Sequence, residues 1–303
     1  MNKYVKIVLV LLSFAFLGAV GTAQGAIIAS ESWDYGDGSA TSVVGQTGGT
    51  GFETTTGWQT NSAVGNTFNA DVLDPGTALS YISGDSSVSV NGGNRALRMS
   101  AGTPDNVTWQ AVDRGLPTAI SAATTPEVFV SFLMRIEADT MHNHDLFGTA
   151  MNNTSGRGLA MYKNSTYLGT PTTWGDTPVY VAGTPVVEQT YLIVARFFAD
   201  ATAVNWEPTN PLYNRGEIWI DPNAGDAGTP QAVTLYTGAG TETSRSLHTI
   251  SSLTMVSERL DPTDVFWLDE YNIGTTWGDV VVPEPMTLTL LAAGAVVLLR
   301  RRR

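Results

Sequence analysis

The most constraining feature of the sequence is an alternation of apolar and polar residues over Glu127–Glu137. This period of two predicts a strand with one buried face, because successive side chains of a strand point to opposite sides. No stretch between the two ends has a sustained helical period, and Gly, Pro, Asn and Asp separate the apolar segments. The pattern therefore predicts an all-β fold. The apolar positions of the alternation are Val128, Val130, Phe132, Met134 and Ile136.

Other segments extend this prediction. Tyr191–Phe198 is apolar on both parities except at Arg196, which predicts a strand buried on both faces. About ten short strands separated by turns predict a two-sheet antiparallel β-sandwich around one core. The segment from Thr60 to Asn94 is rich in Gly, Ser and Asn and is predicted to form long loops with short strands. The further predicted strands are Gly216–Asp221, Val265–Ile273, Ile27–Asp34, Arg95–Ser100, Val107–Asp113, Asp145–Met151, Gly158–Tyr162 and Leu253–Arg259.

The N-terminal end has the pattern of a secretory signal peptide, residues 1–25. Lys3 and Lys6 precede an apolar stretch from Ile7 to Val20, and a small-x-small pattern then predicts cleavage by signal peptidase before Ala26. An uncleaved membrane anchor is the alternative, but the apolar stretch is short for a permanent span. The sequence contains no Cys, so an exported body would depend on its hydrophobic core rather than on disulfides.

The C-terminal segment, residues 282–303, combines a Pro-Glu-Pro motif, an apolar run from Met286 to Leu299 and a basic end. The run predicts a short transmembrane helix of about 20 Å, which is thin for a hydrocarbon core of about 30 Å. Cationic residues after the run would hold it at the cytoplasmic side. The motif is Pro283, Glu284 and Pro285, and the predicted membrane stop is Arg300, Arg301, Arg302 and Arg303.

These three parts in this order resemble the PEP-CTERM sorting signal of Gram-negative bacteria. The resemblance implies that an exosortase recognises Pro283-Glu284-Pro285 and removes the tail. It also implies export through the inner membrane to the cell envelope or to extracellular polysaccharide. An ordinary C-terminal anchor that happens to begin with Pro-Glu-Pro is the alternative.

The ends of the body, residues 26–280, carry a second resemblance. The body opens with Glu31-Ser32-Trp33-Asp34-Tyr35 and closes with Phe266–Gly274. This arrangement resembles the concanavalin A-like, laminin G-like jelly rolls, in which the first and last strands pair in one sheet. Many such jelly rolls hold a structural calcium where these strands run together, which here would involve Glu31 and Asp269. A bond from Asp269 to backbone amides or to an Arg is the alternative, because a carboxylate on a buried face needs a partner.

The charge of the body excludes some partners. The chain has a net charge of −12, but removal of the six terminal cations and Glu284 leaves 10 basic and 27 acidic residues, a net charge of −17. A body this acidic repels nucleic acid and anionic lipid and attracts cations.

No catalytic residue is predicted. Glycoside hydrolysis needs two carboxylates about 5–9 Å apart, and the Glu-x-Asp-x-x-Glu arrangement of related glucanases is missing. Asp269 and Glu270 are adjacent and are expected to point to opposite faces of their strand. Two histidines at His142 and His144, beside Asp145, suit a transition metal only weakly and are interpreted as a polar loop.

The predicted function is therefore a non-catalytic surface or matrix protein that binds glycan or envelope partners. Exposed aromatic rings commonly stack on sugars, and Trp174 and Trp206 lie in predicted loops, so they are the candidates for this role. Two alternatives remain open: a secreted glycan-degrading hydrolase or lyase, and a structural coat component without a small ligand.

Overall fold

The computed structural model describes two facing antiparallel sheets and a hairpin. It describes residues 25–35, 41–60, 68–101, 109–138, 146–151, 159–160, 179, 181, 186–203, 206, 208–235, 248–258 and 263–281. The predicted signal peptide, apart from Gly25, and the predicted sorting segment lie outside these residues. No helix within the described ranges is long and apolar enough to cross a membrane.

Sixteen strands and two short helices are found in the described residues. The first eight strands are β1 (Ile27–Glu31), β2 (Thr41–Ser42), β3 (Gln59–Thr60), β4 (Phe68–Leu73), β5 (Ser80–Ile82), β6 (Ser89–Asn91), β7 (Ala96–Ala101) and β8 (Trp109–Ser121). The next eight are β9 (Glu127–Ala138), β10 (Leu146–Met151), β11 (Leu159–Ala160), β12 (Thr190–Phe198), β13 (Arg215–Ile220), β14 (Ala232–Leu235), β15 (Thr249–Glu258) and β16 (Val265–Gly274). A 3-10 helix spans Ala224–Gly228, and α1 spans Trp277–Val281.

The strands form a nine-stranded sheet, a five-stranded sheet and the β5–β6 hairpin. The order in the nine-stranded sheet is β14-β13-β12-β9-β16-β7-β4-β2, with β1 also beside β16. The order in the five-stranded sheet is β11-β10-β15-β8-β3. All pairings between named strands are antiparallel. The prediction of an all-β antiparallel fold is confirmed, and the expected pairing of the first and last strands is observed.

The main core lies between the two sheets. Phe132 and Ile273 of the nine-stranded sheet belong to one buried apolar cluster with Leu253 and Met255 of the five-stranded sheet. Tyr271 stacks on Phe132 at 5.6 Å between ring centroids. Its hydroxyl also lies 2.9 Å from Thr149 Oγ1 on β10, so a hydrogen bond joins the two sheets.

A second apolar layer covers the outer face of the nine-stranded sheet. Leu192 and Val194 of β12 belong to this outer cluster, while Ile193 and Ala195 face the inner core. The prediction that Tyr191–Phe198 is buried on both faces is therefore confirmed. The β5–β6 hairpin and α1 provide the covering side chains, which include Leu79, Tyr81, Val88, Val280 and Val281.

Candidate functional site

The neighbour of β16 changes halfway along the strand. Its first half, Val265–Leu268, pairs with β7, and its second half, Tyr271–Gly274, pairs with β1. A register shift lies between Asp269 and Asn272, and Glu270 has a φ of 49°. This is a β-bulge, and a bulge changes which face the following residues occupy. Asp269 and Glu270 therefore stand where three segments meet.

The bulge overturns the expectation that Asp269 and Glu270 point to opposite faces. Before it, Trp267 belongs to the outer cluster, and after it Tyr271 belongs to the inner core. Asp269 follows the outer parity of Trp267, and Glu270 lines an outer cavity together with Asn272. Asp269 and Tyr271, two positions apart, would share a face in a regular strand, but here they do not because the bulge inserts one extra residue.

Asp269 is a fully buried carboxylate with one oxygen unused. Its Oδ1 accepts a hydrogen bond from the Glu270 amide at 2.9 Å, and the nearby Gly93 amide also lowers its pKa, while no hydrogen bond of ordinary geometry reaches Oδ2. Burial, with the nearby charge of Glu270, raises the pKa of Asp269 to about 8. Burial and the charge of Asp34 raise the pKa of Glu270 to about 7.

Gly92 and Gly93 make room for two of these carboxylates. A Cβ atom on Gly92 would overlap Oδ2 of Asp269, and one on Gly93 would overlap both oxygens of Asp34. The exposed Asp34 and the buried Asp269 therefore both lie against the Gly92-Gly93 dipeptide. We refer to Asp34, Asp269 and Glu270 as the junction cluster.

Glu31 does not join this cluster. It is buried on the inner side, where its Oε2 accepts a hydrogen bond from Arg114 Nη1 at 2.9 Å. Its Oε1 accepts the Trp33 amide at 3.1 Å, and the Trp58 indole lies 3.4 Å from Oε2. Burial raises the pKa of Glu31, opposed by these hydrogen bonds and by the positive charge of Arg114. The sequence analysis expected Glu31 to share a calcium ion with Asp269, but in the structure Glu31 forms an ion pair with Arg114.

Within the described residues, no group of three or more His, Asp or Glu side chains is placed closely enough to hold a metal ion as it stands. A cavity of about 540 Å³ lies beside the junction cluster, between β1, the β5–β6 hairpin and α1. Its walls combine polar residues, which include Ser30, Asn91 and Glu270, with apolar ones such as Ile27 and Val281.

The outer face of the five-stranded sheet is a separate feature, built from small and polar residues. Thr254 of β15 pairs across the sheet with Asp113 of β8, and Ser252 pairs with Gly115. Their neighbours Leu253 and Val112 belong to the core, so these four face outward. Thr254 is fully buried and its Oγ1 has no hydrogen-bond partner.

Asp113 is half-buried on this face, and burial raises the pKa of its carboxyl. Gln59 of β3 lies opposite it and is exposed. Glu53 donates its amide to the Gly115 carbonyl at 3.0 Å, and its carboxyl carbon lies 3.0 Å from where a Cβ atom on Gly115 would stand. We call Glu53, Gln59, Asp113, Gly115 and Ser252 the outer patch. Thr254 lies at its buried end. The sequence analysis missed this patch, although Asp113 lay within a predicted strand.

The remaining predicted residues give little further support. Trp206 is half-buried and its amide donates to the Ala203 carbonyl at 3.0 Å. Trp174, the His142–Asp145 segment and the sorting motif with its arginines lie outside the described residues. Trp58, Trp219 and Trp267 are buried.

No protein-family model matches the sequence, and no curated protein matches it. Among solved structures, the cellulose-induced protein Cip1 is similar with a TM-score of 0.44 and 12% identity, covering 72% of this chain and 91% of that one. A carbohydrate esterase, vb_24B_21, from the Shiga toxin-encoding bacteriophage phi24B has a TM-score of 0.44 and 9% identity, covering 81% and 100%. A sialidase has a TM-score of 0.38 and 10% identity over 68% of this chain, which spans only 16% of that protein. These similarities are too low to assign a function.

Proposed function

We propose that the protein is an exported, non-catalytic glycan-binding protein of the cell envelope or extracellular matrix, built on a jelly-roll sandwich. The observation that carries the proposal is the outer patch. It combines the small residues Gly115 and Ser252, the exposed amide of Gln59 and the Asp113 carboxylate, which has no described hydrogen-bond partner. The buried Thr254 hydroxyl beside them has no hydrogen-bond partner either. Buried polar groups are normally hydrogen-bonded, so unpartnered ones facing outward suit a hydroxyl-rich ligand.

Glycan hydrolysis is a second candidate, favoured by one observation. Asp113 and Gly115 are two residues apart on one strand, and Glu53 lies over Gly115. The Glu53 and Asp113 carboxylates therefore share one face. Burial raises the pKa of Asp113, as a general acid requires, while Glu53 accepts a hydrogen bond from Thr56 at 2.6 Å. Release of reducing ends separates this candidate from simple binding.

The sequence of the two ends supports the proposed route. Signal peptidase would release the N-terminal segment, and an exosortase would recognise Pro283-Glu284-Pro285 and remove the tail. The folded body leads directly into that motif, since α1 ends at Val281. An intact tail on protein isolated from its own cells would rule out this sorting route.

We also propose a structural calcium at the junction cluster rather than at Glu31. Calcium prefers carboxylate and carbonyl oxygens, and Asp269 Oδ2 is a buried carboxylate oxygen without a partner. Asp34 and backbone carbonyls of the same junction would complete the set. A cation there would allow Asp269 to be ionised at neutral pH despite its burial.

A glycan panel tests the binding proposal. We expect the exported protein to bind at least one neutral or basic polysaccharide without releasing reducing ends. Gly115→Leu should abolish this binding by filling the patch. Its new side chain would displace only the flexible end of Glu53, so the fold should survive. Gly84→Leu is the matched control, because a Cβ atom there meets nothing within 4 Å.

Each outcome of the panel has a definite meaning. Reducing-end release would move the enzyme hypothesis to the front. Binding that is unchanged in Gly115→Leu would place the ligand elsewhere. If no glycan binds under any condition, the structural coat component becomes the better description.

A further inference from the structure

The charge of the outer patch is one-sided. Asp113 and Glu53 are its two charged residues, and both are acidic. No described residue donates a hydrogen bond to the Asp113 carboxylate, and burial alone perturbs its pKa. The ordinary compensation for a half-buried carboxylate, a neighbouring Arg or Lys, is missing from the described part of this face.

The five strands beneath the patch contain a single Arg or Lys, Arg114. Its side chain turns inward, where Nη1 binds Glu31 at 2.9 Å and the guanidinium lies 4.8 Å from the centroid of the Phe52 ring. It is buried and committed to the core. The cation adjacent to Asp113 in sequence therefore cannot neutralise the outer face.

The two carboxylates lie close enough to act on one ligand. Side chains two residues apart on a strand are about 6.6 Å apart, which sets the distance from Asp113 to the Gly115 position. The Glu53 carboxyl carbon lies 3.0 Å from that position. The two carboxylates are thus within about 11 Å of each other, which an oligosaccharide of a few units spans.

Thr254 provides an independent indication that a ligand belongs here. It is fully buried, faces the same side as Asp113 and has an Oγ1 without a partner. A hydroxyl left in this state is normally satisfied by water or ligand. An acidic patch with an adjacent neutral donor and acceptor suits a ligand that carries both hydroxyl and cationic groups.

We propose that the outer patch selects glycans with free amino groups, such as oligomers of unacetylated glucosamine, whose ammonium groups pair with Asp113 and Glu53. This inference rests on the proposed glycan-binding function and specifies its ligand class. Charge-assisted hydrogen bonds to carboxylates are the stronger kind, so they give selectivity over the N-acetylated sugar. Uronic acid polymers are repelled by the same two groups.

The test compares three probes of equal length by isothermal titration calorimetry with the exported protein: glucosamine oligomers, N-acetylglucosamine oligomers and galacturonic acid oligomers. We expect the glucosamine oligomer to bind at least about tenfold tighter than the acetylated one. The preference should shrink at high salt, and galacturonate should not bind.

Two charge-removing variants locate the effect. Asp113→Asn and Glu53→Gln should each weaken glucosamine binding by about tenfold and weaken binding of the acetylated oligomer much less, so that the preference between the two sugars shrinks. Asp74→Asn and Glu188→Gln are matched controls away from the patch and should change neither. Equal affinity of wild-type protein for the two sugars, or a preference that survives both variants, would overturn the inference.

The failure of this inference is distinguishable from failure of the proposed function. Binding of all neutral sugars without an amine preference would leave glycan binding intact and remove the ligand class. Absence of binding to every probe would remove both. A lysine oligomer that binds as tightly as glucosamine oligomers would show recognition of cations alone and would overturn the assignment to a sugar.

Discussion

Asp221 shows how one buried carboxyl ties stability to pH. It follows β13 in a left-handed conformation with a φ of 53°. Its Oδ1 accepts the Leu192 amide at 2.8 Å, and its own amide donates to the Leu192 carbonyl at 2.8 Å. Burial raises its pKa to about 6, opposed by the hydrogen bond from Leu192. The folded state therefore holds this proton more tightly than the unfolded chain does.

We predict that Asp221→Asn removes part of the pH dependence of stability. The folded pKa lies above the ordinary value of 3.8, so the folded state binds more protons and stability falls as pH rises from about 4 to 6. Asn keeps an oxygen acceptor for Leu192, tolerates a positive φ and has no charge to bury. The variant should be more stable than wild type at pH 8 and nearly equal at pH 4.

Urea unfolding at several pH values between 4 and 8 measures this effect. Asp221→Ala serves as the comparison, because it loses the acceptor and should destabilise the protein at every pH. A stability difference between Asp221→Asn and wild type that does not change with pH would contradict the assignment.

The last described element, α1, is anchored to the outer face of the nine-stranded sheet. The Trp277 ring lies 5.0 Å from Trp219 and 6.3 Å from Phe129, both in edge-to-face geometry. Its indole N–H donates to the Ala224 carbonyl at 3.0 Å. Ser131 Oγ donates to the Val280 carbonyl at 2.7 Å. A helix of five residues has little stability alone, so these contacts hold it in place.

We predict that Trp277→Ala lowers the free energy of unfolding by about 2–3 kcal/mol, because the half-buried indole loses its packing against Trp219 and Phe129. Trp277→Phe should cost less, since it loses the indole hydrogen bond but keeps a ring against Trp219. Guanidinium unfolding of both variants measures the difference. Equal costs for the two substitutions would mean that the ring contacts contribute little.

Strand prediction was successful where the two faces of a strand differ or are both apolar. The alternation over Glu127–Glu137 became β9, and the continuous apolar run became β12. Sequence analysis ended the strand at Asp113, whereas β8 continues to Ser121. The second half of β8 is hard to recognise because it contains Arg114, Gly115 and Pro117. An Arg that faces the core and a Pro within a strand both depart from the usual strand pattern.

The junction cluster belongs to the scale of the whole molecule. Asp34 follows β1, whereas Asp269 and Glu270 lie in β16. The Gly92-Gly93 segment before β7 leaves room for the Asp34 and Asp269 carboxylates, so three distant segments build the site. These segments meet here because the strand that pairs with β16 changes from β7 to β1 at this point. A cation bound there would therefore link the two ends of the body.

We predict that calcium raises the melting temperature of the protein relative to a chelator. Saturation at one hundred times the dissociation constant would stabilise the folded state by about 2.7 kcal/mol. Asp269→Asn should abolish the calcium response, and it should raise the melting temperature in chelator because the folded wild-type protein has to protonate this buried carboxyl at neutral pH, which costs stability. Differential scanning calorimetry measures both effects.

Asp74→Asn is the matched control for this experiment and should retain the full response, since Asp74 lies on an exposed turn where it accepts the Gly76 amide at 2.7 Å. A magnesium titration tests selectivity, because magnesium keeps its own water shell more firmly. No thermal shift with calcium in wild-type protein would remove the calcium proposal and leave the glycan proposal untouched.

The sequence by itself determined the all-β class, the positions of the main strands and the pairing expected between the chain ends. These follow from local periodicity and turn residues, which act over a few positions. Tertiary structure decided the sites, because each depends on residues that are far apart in the chain. Glu31 is bound by Arg114, which lies 83 positions further along the chain, and this ion pair holds it away from the calcium site expected with Asp269. The bulge at Glu270 places Glu270 on the same outer side as Asp269 and turns Tyr271 to the inner core, and the fold brings Glu53 over Gly115. No local pattern encodes either arrangement.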